Sequence, residues 1–160
     1  MKMESLSLID CDRLSNDDFI RIGDIINFEG PLMTLFQDHR HNHLYLFDWV
    51  DRDDSTNRWL VYQVDPAALN KFLNVEISHL ELFNSIHHRP VFVTDIRHGS
   101  TIKNSPITRI KEIPSDYYPE SIFFEKEDCP SFGKIKRAVI ETISTHSQYN
   151  VIIYTSLNNQ

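Results

Sequence analysis

His39, His41 and His43 alternate along the chain, with Asp38 beside them. On one extended strand, residues two apart point to the same side. Three imidazoles and a carboxylate in that arrangement could gather a zinc or nickel ion. Their setting speaks for something plainer. They fall between two apolar runs, at an expected hairpin tip, where backbone direction changes at each residue and the alternation lapses. A solvated hairpin is therefore the preferred reading, with a metal site at His39, His41 and His43 as its alternative.

A second polar cluster holds Asp48, Asp51, Asp53 and Asp54 with Ser55 and Asn57. Clustered oxygens suit calcium. Counted from Asp51, however, Thr56 and Tyr62 stand where an EF-hand loop needs glycine and glutamate. Turn chemistry accounts for the Asp, Ser and Asn without an ion. His87-His88-Arg89 precedes Pro90 and a strand carrying Asp95, and an imidazole near a carboxylate is the start of general acid–base catalysis. Nucleophilic catalysis also needs a serine or thiol within reach, and neither Cys11 nor Cys129 has a histidine-containing signature around it. A helix-to-strand connection is the preferred reading. The run Arg97-His98-Gly99-Ser100-Thr101 offers Arg97, Ser100 and Thr101 as an alternative anion site. Phosphate-loop, dinucleotide, nucleophile-elbow and HExxH motifs are all missing from the sequence. No catalytic residue and no cofactor is assigned.

The elements that must position these groups come from the rest of the chain. Its 160 residues, 41% of them apolar and 24% charged, suit a single globular domain over 1–160 with a frayed tail at 157–160. There are 16 Lys and Arg against 23 Asp and Glu, for a net charge of −7. Nucleic-acid affinity comes largely from clustered basic residues. The densest group here, Lys134, Lys136 and Arg137 beside Glu141, reads as a solvated helix face. Nucleic acid is thus not the expected partner, and the acidic excess favours a basic partner surface. No apolar run approaches the length of a membrane span, no secretory signal opens the chain, and two distant cysteines form no disulfide framework. A reducing cytoplasm is the expected setting.

Leu32–Phe36, Leu44–Val50 and Trp59–Val64 are aromatic and β-branched runs bounded by Asp, Asn and Ser clusters, which are strand signals. Their short polar gaps predict consecutive antiparallel hairpins. Asp65-Pro66 opens a helix carrying Leu69, Phe72 and Leu73, and Ser78 with Glu81 forms a capping box for another. Val91–Ile96 and Ile107–Ile113 read as further strands, and Val151–Tyr154 as a closing buried strand. Phe132, Ile135, Val139 and Ile143 stand at helical spacing. The expected fold is α+β: an antiparallel meander of about five to six strands, two short central helices and a C-terminal helix. Both faces of the meander carry large apolar groups, so one meets helices and the other a second layer or a partner. Tyr45, Trp49, Trp59 and Tyr62 are core residues on burial grounds, or binding anchors if one face is open.

Glu29-Gly30-Pro31-Leu32 with Leu35-Phe36, Leu44-Tyr45-Leu46 with Trp49-Val50-Asp51, and Asn57-Arg58-Trp59-Leu60-Val61 together resemble a family of small bacterial proteins built around an uncharacterised domain. The likeness spans roughly residues 20–120 and continues more weakly through Pro66–Ser85 and Val91-Phe92. It implies a bacterial or phage setting and a single-domain accessory protein, with antitoxin, immunity or defence-related roles in view, and it carries over no catalytic residue.

The leading expectation is a non-enzymatic protein-interaction module that also pairs with its own copies through sheet edges. Two alternatives stand beside it. One is a small metal-dependent enzyme using the histidines. The other is a sensor of a nucleotide or other small ligand, with phosphate on the Arg97–Thr101 loop.

Overall fold

A computed structural model describes residues 12–87 and 89–158. Seven strands form one antiparallel sheet: β1 (Arg13–Leu14), β2 (Phe19–Asn27), β3 (Pro31–Asp38), β4 (His43–Arg52), β5 (Thr56–Val64), β6 (Val91–Arg97) and β7 (Ile107–Ile110). Three helices accompany it: α1 (Pro66–Leu73), α2 (His79–Asn84) and α3 (Phe132–Asn158). The α+β class and the antiparallel meander are as the sequence predicts. The strand number is higher, because the short β1 joins β7 at the far edge. The expected strand at Val151–Tyr154 is a correction: these residues continue α3. A short β-branched run has the same apolar signature in a buried strand and in a helix. Here the helix already under way from Phe132 decides.

The local signals explain most elements. Ser78 Oγ accepts from the Glu81 N–H, and Glu81 Oε1 accepts from the Ser78 N–H, completing the capping box of α2. Asp65 stands at the start of α1, but its side chain makes no capping bond. In α3, Ile135 and Val139 are fully buried, with Phe132 and Ile143 packed beside them, as their spacing predicts.

The sheet cannot be flat. Its order is β1-β7-β6-β5-β4-β3-β2, which puts β1 and β2 at opposite edges. Neighbouring strands lie about 4.8 Å apart, so a flat seven-stranded sheet would separate its edges by about 29 Å. The chain from Leu14 to Phe19 reaches at most about 18 Å. The sheet therefore curls until its edges approach. Asn16, in the connection, holds them: its Nδ2 donates to the carbonyl oxygens of Ile102 at 2.9 Å and Ser105 at 2.7 Å, in the β6–β7 connection.

Two hydrophobic clusters result. The outer face packs Met33, Leu35, Leu46 and Leu60 under Leu69, Phe72 and Leu82 of the short helices and Ile135 and Val139 of α3. Gly23 lets the start of α3 approach β2, since a Cβ there would sit 3.3 Å from the Ser131 Cβ. The inner face packs Phe36, Tyr45, Phe47, Trp59, Val61 and Phe92 around Leu14, Phe19 and Ile102, the residues of the closure. Phe19 meets Tyr45 and Phe47 edge-on at centroid distances of 4.9 and 5.7 Å. Each fully buried side chain of this size contributes about 1.5–3 kcal/mol, so the curl carries a core of its own.

Candidate functional site

The inner face does not fill completely. A cavity of about 490 Å³ opens between β2–β3 on one side and the end of β6 with its following loop on the other. Phe36, Phe47 and Trp59 form its apolar floor, and Ile96 and Ile102 its flank. Alternation along β4 and β5 places this floor: Tyr45, Phe47 and Trp49 on β4, with Trp59 and Val61 on β5, all turn inward. The loop is set by Gly99, whose φ of +81° suits the third residue of a turn closed by the Ser100 N–H donating to the Arg97 carbonyl at 2.9 Å.

The rim is basic. Arg21, Arg97, His98 and Lys103 all line the cavity, in a chain whose net charge is −7. Arg21 is committed to Asp24, its Nη2 lying 2.6 Å from Oδ1. Arg97 and Lys103 make no ion pair with any described carboxylate. Ser100 and Thr101 add hydroxyls to the same wall. The arrangement offers an apolar recess with basic side chains at its edge.

The residues singled out in the sequence are thereby regrouped. Trp59 and the Arg97, Ser100, Thr101 loop, read as separate candidates, line one cavity. Tyr45 is inward-facing but 3% exposed, part of the packed floor. Trp49 lies at the inner cluster's margin, its Nε1 donating to Asn57 Oδ1 at 3.1 Å. Tyr62 belongs to the opposite face, fully buried under the helices. The four aromatics are thus two sets, divided by the period of two along β4 and β5.

His39 and His41 lie in the hairpin tip, and His43 begins β4. His41 Nδ1 is 2.9 Å from Asp38 Oδ2, and the His41 and His43 rings stack at 5.7 Å. Among the described residues no group of three or more His, Cys, Asp or Glu side chains could hold a metal ion. Asp53 behaves as turn chemistry predicts, accepting from the Ser55 and Thr56 N–H groups at 2.8 and 2.7 Å. Those bonds lower its carboxyl from 3.8 to about 2. Arg58 grips Asp95 side-on, Nε donating to Oδ1 at 2.8 Å and Nη2 to Oδ2 at 2.9 Å. His88 lies outside the described residues. His87 lines a separate cavity with Arg89 and Arg109. Cys129 is buried, and that burial pushes its thiol up, away from thiolate chemistry.

One group escaped the sequence reading. Asp48 is not in the acidic loop but inside β4, 5% exposed on the outer face. Its Oδ2 accepts from the Tyr62 hydroxyl at 2.9 Å and meets His79 Nε2 at 2.7 Å. Burial, and then the Asp48 charge, push the Tyr62 hydroxyl well above the usual tyrosine range. The signal was present: a carboxylate between Phe47 and Trp49, in phase with Leu44 and Leu46, must be buried and paired. No helix among the described residues is long and apolar enough to cross a membrane. No family model, curated protein or solved structure matches the chain.

Proposed function

We propose that the chain is a non-enzymatic protein-interaction module whose binding site is the aromatic cavity inside the curl. The partner inserts an apolar side chain against Phe36, Phe47 and Trp59, and its flanking acidic groups meet Arg97 and Lys103. One observation carries this reading: an aromatic floor and two cations unpaired among the described residues share a cavity in an otherwise acidic chain. Aromatic anchors seated in desolvated pockets dominate binding energy, and rim charges set encounter rate and register. An accessory role in a bacterium or phage, as antitoxin, immunity or defence-related partner, is part of the proposal and rests on the family resemblance.

The test places a photo-crosslinking side chain at Ile96, with a control at the exposed Ile140 on α3, in the full chain in its host. The reading expects one protein captured from the first position and not from the second. With that protein purified, Arg97→Glu and Lys103→Glu should each weaken binding about tenfold, roughly 1.4 kcal/mol. Their thermal unfolding should not change. Equal capture from both positions, or affinity indifferent to charge reversal, would overturn it.

A second reading is favoured by the Ser100 and Thr101 hydroxyls standing in the same cavity as Trp59. A small anionic ligand with a flat apolar body, such as a nucleotide, fits a volume within the usual range for ligand sites. A saturable rise in melting temperature with such a ligand, abolished by Arg97→Glu, would put this reading in place of the first.

A further inference from the structure

We propose that a second cavity, on the outer side of the sheet, binds an organic cation: an ammonium or guanidinium group carried on an apolar body. The cavity has a volume of about 480 Å³ and lies between the end of β4 and the segment from Asp116 to Asp128. Its lining includes five carboxylates, Asp48, Asp116, Glu120, Glu125 and Asp128, and neither lysine nor arginine. Clefts lined by one sign of charge focus the field and concentrate the opposite ion. An anion is excluded here on the same ground.

Three further observations point to a cation with a body rather than to a solvated acidic surface. The walls are aromatic, with Phe72, Tyr117 and Phe124 among the lining residues, and ring faces attract ammonium and guanidinium groups. The cations beside the cavity are engaged by other groups: Lys126 lies over the Phe132 ring at 4.7 Å, and Arg58, whose Nη1 reaches the Tyr117 hydroxyl at 3.3 Å, is paired with Asp95. Asp48, buried on the cavity wall, uses Oδ2 for both Tyr62 and His79, while Oδ1 accepts no hydrogen bond from a described residue. The Asp48 side chain is 6% exposed, so its charge is poorly screened by water, which favours a cation beside it. At the mouth, Tyr118, Ile122 and Phe123 are 46, 57 and 48% exposed, an apolar collar suited to the ligand's body.

This site shares no lining residue with the inner cavity, so its fate is separate from that of the proposed function. The same cation chemistry comes from two sources, a free amine or the side chain of a basic residue in a peptide. Calorimetric titration of the full chain with phenethylammonium, and with its neutral isostere phenethyl alcohol, tests the site itself. We expect saturable binding of the amine and none of the alcohol. Raising ionic strength should weaken the amine, since about 10 Å of screening length at 0.1 M shortens to about 3 Å at 1 M. The double variant Glu120→Gln, Glu125→Gln, both exposed positions, should bind about tenfold less tightly with unchanged thermal unfolding. A blocked tripeptide with central arginine then distinguishes the sources: tighter binding than the free amine points to a protein partner, weaker to a metabolite. Equal binding of amine and alcohol, or no saturation of either by about 10 mM, overturns the proposal.

Discussion

Asn16 Nδ2 lies 2.7 Å from the carbonyl oxygen of Ser105, across 89 positions of sequence. A second bond to Ile102 accompanies it, so one amide joins the connection leaving β1 to the connection entering β7. The contact reinforces the pairing of β1 with β7, which covers two residues. Closure is what turns an exposed aromatic sheet face into a floored cavity.

Asn16→Ala should cost about 1–3 kcal/mol, because the carbonyls it served lose their donor. Asn16→Asp should cost more, since a carboxylate offers only acceptors to acceptors. Urea unfolding measures both. Crosslinking from Ile96 should also fall, which ties the latch to the cavity.

Tyr62→Phe removes one of the two donors to the buried Asp48 and should destabilise by about 2 kcal/mol. The alkaline limb carries a sharper test. Burial beside Asp48 raises the Tyr62 hydroxyl in the folded state, so the native protein keeps its proton where the unfolded chain has lost it. Stability is then full below the usual tyrosine value near 10 and falls as pH rises above it. The Phe variant should fall less steeply. An absorbance titration should show a tyrosine fraction that resists ionisation until unfolding, smaller by one residue in the Phe variant.

Asp53 should titrate with a midpoint of about 2 in a carboxyl-detected NMR experiment. Its carboxyl is lowered, so its contribution to the β4–β5 hairpin is present above the ordinary value of 3.8 and lost as pH falls toward 2. Asp53→Ala should move the amide resonances of Ser55 and Thr56, whose N–H groups lose their acceptor.

Gly23 and Gly133 should respond oppositely to a side chain. Gly23→Val drives a branched group into Ser131 and Ile135 and should destabilise by about 1–3 kcal/mol. Gly133, in the first turn of α3, has nothing within 4 Å of an added Cβ, so Gly133→Ala should stabilise by about 0.5 kcal/mol. Parallel thermal unfolding of the two variants checks the pair.

Legibility followed the range of the interaction. The strand Trp59–Val64, the capping box of Ser78 and Glu81 and the helical stripe of Ile135 and Val139 were readable because each is specified within a few residues. The split between Trp59 and Tyr62 was also written in the sequence, as odd and even positions of one strand. What it meant was not, because alternation does not say which face the helices will cover. Val151–Tyr154 misled because an apolar β-branched run looks alike in strand and helix.

By itself, then, the chain's residue pattern determined an antiparallel sheet with apolar groups on both faces, three helix starts and an acidic surface. Only the tertiary structure decided that β1 would cross to β7, that the sheet would curl shut, and that Trp59 would share a cavity with Arg97 and Lys103. The physical reason is that these depend on pairings between segments distant in sequence, such as Leu14 with Ile107 and Thr56 with Arg97. Such contacts are selected by the packing of the whole core, and no local spacing encodes them.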